Sequence, residues 1–421
     1  MDHSSRHFVA TERIIDLAAF RPRSAVRHCA LLAILCALLL PSLASEQLVF
    51  VEASLNEHIV MVPAGRDQRA LLETTVFQPD GAGPFPLLII NHGKEAGLPR
   101  QQPRERFIFM ATAFVKRGYA VMVPMRQGFA DSGGSYIDYG CDMTAHGHAQ
   151  AADVRDVIEF ARAQPSIDSD RIVVAGQSYG GLATLALGTT DIDGVRGLIN
   201  FAGGLRDNGG SCNWRAALVK AFGQYGAASK LDSLWIYGAN DSLFAPPLVT
   251  RLHKAFTGAG GNATLVRAGP FKRDAHLLLA SRDGEQVWLP ELIRFLERIG
   301  MPTREIYTVI PAPRLAKTDY AALDDVDAVP FLGGSGRDGY RDYLARTTPR
   351  AFAIAPSGAW SWAEDGEEPE RRALDACKRK AGQTCRLYSI DEDVVWPQER
   401  SLAAHAGAAG TLAAERRGSA M

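Results

Sequence analysis

The stretch Gly176-Gln177-Ser178-Tyr179-Gly180 constrains this chain more than any other. The run before it, Arg171-Ile172-Val173-Val174-Ala175, reads as a short buried strand, and the run from Leu182 to Leu187 reads as a helix. A chain that passes from strand to helix in so few residues must turn sharply. Glycines at both ends of the pentapeptide leave room for that turn because they carry no Cβ. The serine at the tip is pushed outward, and the helix N-terminus behind it favours developing negative charge. Strand, turn and helix around G-x-S-x-G is the setting of a nucleophile elbow, whereas the five letters alone would fit an ordinary tight turn.

The rest of the chain fits that geometry. Residues 45 to 80 alternate apolar and polar, as in His58-Ile59-Val60-Met61-Val62, and predict antiparallel strands at a sheet edge. Phe85 to Asn91 and Tyr119 to Pro124 are continuous apolar runs, as in strands buried on both faces. Further strands are predicted at Gly197 to Ala202, Leu234 to Tyr237 and Ala263 to Ala268. Helices are predicted at Phe107 to Arg117, Ala149 to Gln164, Leu248 to Phe256 and Gln286 to Ile299. Strands alternating with helices imply a mostly parallel sheet covered on both faces. Past Gly300 the pattern breaks. Residues 301–317, with Pro302, Pro311 and Pro313, read as a linker, and 318–398 as a small α+β unit of strand, loop, helix and strand. Residues 399–421 read as a disordered tail.

A serine is a weak nucleophile without a base in hydrogen-bond reach, itself oriented by a carboxylate. In sheets of this type those partners follow on loops after later strands, in the order Ser, Asp or Glu, His. Asp241, in the loop after Leu234 to Tyr237, is the expected orienter, and His276, beyond Ala263 to Ala268, the expected base. The lesser alternative for Asp241 is an N-cap for the helix that follows it, beginning near Ala245. Asp274 lies too close to His276 in the chain to reach it easily, and Asp232 precedes its strand. The backbone N–H groups of Lys94, in the loop after the first buried strand, and of Tyr179, after the serine, are the expected oxyanion donors. His92 reads as a structural loop residue and His253 as a surface one. His146 and His148, two residues apart, face opposite ways on a helix and suit metal ligation badly. No cofactor or metal is expected.

With 421 residues, 47% of them hydrophobic, the chain can bury a sizeable core. Its net charge of −1 gives no electrostatic case for nucleic acid or an anionic membrane as partner. Arg21, Arg23 and Arg27, the apolar run Cys29 to Leu40 and small residues at Ser42 and Ala44 read as a secretory signal over 1–44, cleaved after Ala44. That run is short for a membrane span, so a periplasmic or secreted protein with no stable span is expected. Four cysteines then remain: Cys141, Cys212, Cys377 and Cys385. Three pairings are possible, and Cys141–Cys212 with Cys377–Cys385 is favoured because each pair stays within one domain.

Several of these stretches together resemble the serine α/β-hydrolases, and among them the exported dienelactone-hydrolase-like group: the Asn91-His92-Gly93 loop, Arg117-Gly118-Tyr119-Ala120 through Arg126, Gly128 to Gly134, the elbow at Ser178, and the Asp241 and His276 loops. The resemblance covers about residues 50 to 300 and implies an α/β-hydrolase fold over 45–300. The group's name does not carry its activity over, because those enzymes typically use Cys where this chain has Ser178. The reading is an exported hydrolase cleaving carboxylic esters of small molecules through an acyl-enzyme on Ser178, His276 and Asp241. Two alternatives stand beside it: a prolyl-oligopeptidase-like peptidase, and a non-catalytic envelope-binding protein acting through the C-terminal unit with Trp360 and Trp362. Substrate choice is expected in Phe129 to Cys141 and Leu205 to Lys230, read as long connections that a Cys141–Cys212 bridge would join over the site. Hydrolysis is expected to survive loss of residues 311–421. Substrate identity and oligomeric state are not legible.

Overall fold

The computed structural model describes residues 52–207, 212–310 and 314–397. The expected signal segment 1–44 and tail 399–421 lie outside these residues. Eight strands form one sheet: β1 His58–Ala64, β2 Ala70–Phe77, β3 Phe85–Asn91, β4 Ala120–Pro124, β5 Ile167–Gln177, β6 Val195–Phe201, β7 Ser233–Gly238 and β8 Ala263–Ala268. Their order is β1-β2-β4-β3-β5-β6-β7-β8. β1, β2 and β4 pair antiparallel, and from β4 onward every neighbour is parallel.

The continuous apolar runs are explained by two cores. In β3, Leu87 and Ile89 enter one and Leu88 and Ile90 the other; in β5, Ile172 and Val174 enter the first and Val173 and Ala175 the second. With a period of two, a strand covered on both sides must be apolar at every position. Helices α1 Ile108–Lys116 and α6 Glu285–Arg298 cover one face, and α2 Met143–Arg162, α3 Tyr179–Leu187, α4 Trp214–Ala228 and α5 Pro246–Gly258 the other. Among the described residues, no helix is long and apolar enough to cross a membrane.

Around the eight-stranded sheet, two helices differ from the sequence reading. α2 starts at Met143 rather than Ala149, because the Asp142 side chain accepts from Ala145 N at 2.9 Å and caps it earlier. Leu205 to Lys230, expected as a cap, contains α4, whose Leu218, Phe222 and Tyr225 are buried in the sheet's own core. Its described helix is therefore a crossover helix packed on the sheet.

Residues 314–397 carry a separate antiparallel sheet of order β10-β9-β11-β12, with β9 Arg350–Ile354, β10 Trp360–Glu364, β11 Arg386–Ile390 and β12 Asp393–Val394. Helix α7, Gly334–Leu344, packs Tyr340 and Tyr343 on one face against Phe352, and α8, Pro369–Ala381, packs Ala373 and Cys377 on the other against Ala351 and Ala353. Trp360 stacks on Phe352, with ring centroids 5.8 Å apart, and Trp362 lies under the Arg346 guanidinium. Cys377 is bonded to Cys385, and Cys141 to Cys212.

Candidate active site

Ser178 sits between β5 and α3 with φ 55° and ψ −120°, in the left-handed region that non-glycine residues rarely adopt. The turn is held by backbone: Ser178 N donates to Phe201 O at 2.9 Å, and Gly204 N donates to Ser178 O at 2.9 Å. The flanking glycines are obligatory. A Cβ on Gly180 would lie 2.0 Å from Asn91 O, and one on Gly176 would lie 2.2 Å from Gly180 O. Close approach of three backbone segments thus fixes the strained serine.

The loop after β7 delivers Asp241, whose side chain is fully buried. Its Oδ1 accepts from Leu243 N and Phe244 N, both at 2.8 Å, which fixes the carboxylate and leaves Oδ2 facing His276 Nδ1 at 3.1 Å. Asp241 therefore both caps a turn and orients an imidazole, while the helix N-cap position itself falls to Ala245. Asp274 holds the backbone of His276 rather than its ring: Oδ1 accepts from His276 N at 2.9 Å and from Ser242 N at 3.1 Å, and Oδ2 from Ser242 Oγ at 2.6 Å. Asp232 pairs with Arg298, away from these groups. Gln177 Nε2 donates to His276 O at 2.7 Å, tying the histidine loop to the residue before the serine. His276 and Ser178 line one cleft, and no hydrogen bond between Ser178 Oγ and the imidazole is among those of the described residues. Unliganded sites of this kind often tighten only around substrate.

On the opposite side of Ser178 lies the Gly93–Lys94 peptide. A Cβ on Gly93 would come within 3.3 Å of Ser178 Cβ. Gly93 O is held by His92 Nδ1 at 2.6 Å and by Gln102 Nε2 at 3.4 Å. In a trans peptide the N–H of Lys94 then points the other way. Tyr179 N is the first amide of α3 and has no acceptor within the helix. Fully buried His92 also accepts from Arg126 N at Nε2, 3.1 Å away, so its tautomer is fixed. Burial, reinforced by the Arg126 charge, holds this imidazole well below the usual histidine range. Arg126, also fully buried, donates from Nη2 to His92 O and from Nε to Gln150 Oε1, both at 2.6 Å. Burial pushes its guanidinium down to about 10.

Several supporting residues were not foreseen in the sequence. His146, set aside as a ligand, meets Tyr179 OH at 3.0 Å through Nδ1 and thereby anchors the residue after the serine. Its position one helical turn into α2, facing α3, was the available signal. His253, expected on the surface, is half-buried against Trp235 and meets Ala263 O at 3.0 Å.

The cleft, about 300 Å³, has walls other than those the sequence predicts. Among the described residues, none of Phe129 to Cys141 and none of 205–207 or 212–230 lines it. Beyond the elbow and the histidine loop, its walls come from residues 102–106 and, from the C-terminal unit, Gly366, Glu367, Arg371 and Arg372. Two carboxyls face each other there. Burial, then the Glu95 carboxylate, pushes Glu105 up to about 7, and burial, then Glu105, pushes Glu367 up to about 8.

Strand order, elbow and the loops that carry Asp241 and His276 are arranged as in the α/β-hydrolase fold. The family model of X-Pro dipeptidyl-peptidase (S15 family) matches residues 67–233, a segment that includes Ser178 and ends before Asp241 and His276. Comparison with curated proteins finds no significant match. Among solved structures, a Klebsiella pneumoniae protein assigned as a dienelactone hydrolase is 18% identical over 58% of this chain and 98% of its own, with a TM-score of 0.41. A Pyrococcus furiosus esterase is 17% identical over 59% and 96%, with a TM-score of 0.44. A Pyrococcus horikoshii acylaminoacyl peptidase is 18% identical over 60% of this chain and 43% of its own, with a TM-score of 0.45.

Proposed function

We propose that the protein is an exported hydrolase that cleaves carboxylic esters through an acyl-enzyme on Ser178. The observation that carries this is the Asp241–His276 contact of 3.1 Å on the rim of the cleft that Ser178 also lines. Ser178 Oγ attacks the ester carbonyl and gives its proton to His276 Nε2. Asp241, its carboxylate already held by two amides, stabilises the imidazolium. The N–H groups of Tyr179 and Lys94 receive the oxyanion, each donor worth about 10²–10³ in rate. Collapse expels the alcohol, which takes the proton from Nε2. Water then repeats the sequence on the acyl-enzyme, releasing the acid and restoring Ser178.

Labelling of the mature, oxidised protein with a fluorophosphonate tests the reading. Wild type labels; Ser178→Ala does not, and loses on the order of 10⁶ in ester turnover. A folded wild type that fails to label overturns it. Sequencing the labelled protein from its N-terminus checks export: a mature chain starting at Ser45 supports a signal over 1–44, and an intact Met1 end opposes it.

The S15 match favours a second reading, cleavage of amides after an X-Pro pair. An X-Pro anilide turned over faster than the matched acetate ester would move the assignment to a peptidase.

A further inference from the structure

The sequence predicts that hydrolysis survives loss of residues 311–421, yet the C-terminal unit meets the hydrolase domain at two loops that wall the cleft. The first is the loop that carries His276. Arg273 Nη2 lies 2.8 Å from both carboxylate oxygens of Glu364, at the end of β10. Lys272 Nζ donates to Asp365 Oδ1 at 2.5 Å and to Thr348 O at 2.8 Å, and reaches back to Asp283 of the hydrolase domain at 3.1 Å. The second is the segment before α1, which walls the cleft. Arg106 pairs with Glu368, and Ile108 N donates to Glu367 Oε1. One turn, residues 364–368, therefore grips both loops. Gly366 and Glu367 of that turn and Arg371 and Arg372 of α8 line the cleft together with Ser178.

That wall is polar and is built by the turn itself. Arg372 donates from Nε to Glu367 O at 2.8 Å and from Nη2 to the carbonyls of Glu364 and Asp365, so its guanidinium braces the turn from inside. Arg371 is held along its own helix by Glu368 and Asp375. Opposite stand Glu105 and the Gln102 amide. A long alkyl chain laid in this space would strip water from carboxyl and guanidinium groups and return no hydrogen bonds, which is costly. A short or polar group leaves them solvated or bonded.

We propose that the C-terminal unit is a working wall of the hydrolase site: its 364–372 turn positions the His276 loop through Lys272 and Arg273, and closes the cleft so that short, polar esters are accepted and long-chain esters excluded. The proposal rests on Ser178 being the nucleophile. Glu364 and Asp365 are then positioning residues, while Glu367, Arg371 and Arg372 set specificity.

The test uses the full-length oxidised protein, with p-nitrophenyl acetate and p-nitrophenyl octanoate as probes and fluorophosphonate labelling as the control. Wild type prefers the acetate in kcat/KM. Arg371→Ala, which trims the wall and gives up the Arg371 bonds to Glu368 and Asp375 but keeps the Arg372 brace and the grips of Glu364 and Asp365, raises the octanoate-to-acetate ratio about tenfold. Arg273→Glu, which sets a carboxylate against Glu364, lowers kcat for acetate about tenfold with little change in KM, and Arg273→Lys restores most of it. A wild type that prefers octanoate, or labelled variants that leave both the ratio and kcat unchanged, overturn the proposal. Failure of wild type to label overturns the nucleophile assignment instead, so the two failures are distinct.

Discussion

The two sides of the cleft are held by different physics. Around Ser178 the geometry comes from backbone: Gly176 and Gly180 let segments pack at distances no Cβ tolerates, Gly93 packs closely against Ser178, and amides lock the carboxylate of Asp241. Facing it, residues 364–372 are held by side-chain charge, through Glu364 to Arg273, Asp365 to Lys272 and Glu368 to Arg106. Backbone packing has essentially one arrangement and ignores salt and pH. Ion pairs at a partly solvated interface are weaker, screened and titratable. The Ser178 side is thus expected to be rigid and intolerant of substitution, and the wall to be tunable.

The largest effect belongs to the rigid side. Asp241→Asn keeps the two bonds from Leu243 N and Phe244 N but can present an amide to His276 Nδ1, which favours the wrong tautomer. Ester turnover should fall about 10⁴-fold while the melting temperature barely moves. A loss below tenfold would mean that Asp241 caps its turn and does little else.

Next comes Gly180→Ala. The new Cβ meets Asn91 O at 2.0 Å, and backbone cannot move aside as a flexible side chain can. A destabilisation of about 3 kcal/mol is expected in chemical denaturation, the upper end for overpacking. Gly258→Ala, at the end of α5 with nothing within 4 Å, should be neutral or slightly stabilising. Equal costs at the two sites would break the contrast between the two sides.

The same distinction separates what the sequence discloses from what it hides. β3, β5 and the elbow are legible because burial on both faces demands unbroken apolar runs and the turn demands glycine. Asp241 and His276 are legible because parallel topology puts the loops after successive strands on one edge. α4 and α7 are not, because glycines weaken their helical signal. Gly226 is required where Phe256 O lies 2.1 Å from the missing Cβ, and Gly339 where the Trp360 ring lies 2.1 Å from it. There, tertiary packing overrides helix propensity. The wall is hidden for a different reason. Glu364 to Arg372 is a charged stretch at the start of a helix, and nothing local says that Arg273, 91 residues earlier, waits opposite.

The smallest expected effect concerns pH and the charged side alone. Glu105 and Glu367 stand half-buried on facing walls, with Glu95, Glu368, Arg106, Arg371 and Arg372 around them. Their carboxyls are raised to about 7 and about 8, from an ordinary value of 4.5 in the unfolded chain. Between those limits the folded state binds more protons than the unfolded one, so stability falls as pH rises. The contribution is complete below about 4.5 and is lost on passing through 7 and 8. Glu57 acts in the opposite sense: burial alone would raise it, but its bonds to Arg106 and Arg104 outweigh that and hold it below the usual range, so it stabilises above that range. Melting temperatures at pH 5, 6.5 and 8.5 should therefore decline for wild type across the upper interval. Glu105→Gln and Glu367→Gln should flatten that decline, and together flatten it most. An unchanged slope in the double variant would mean that both carboxyls ionise freely in the cleft, and the wall would then lose its titratable character and differ from the elbow only in strength.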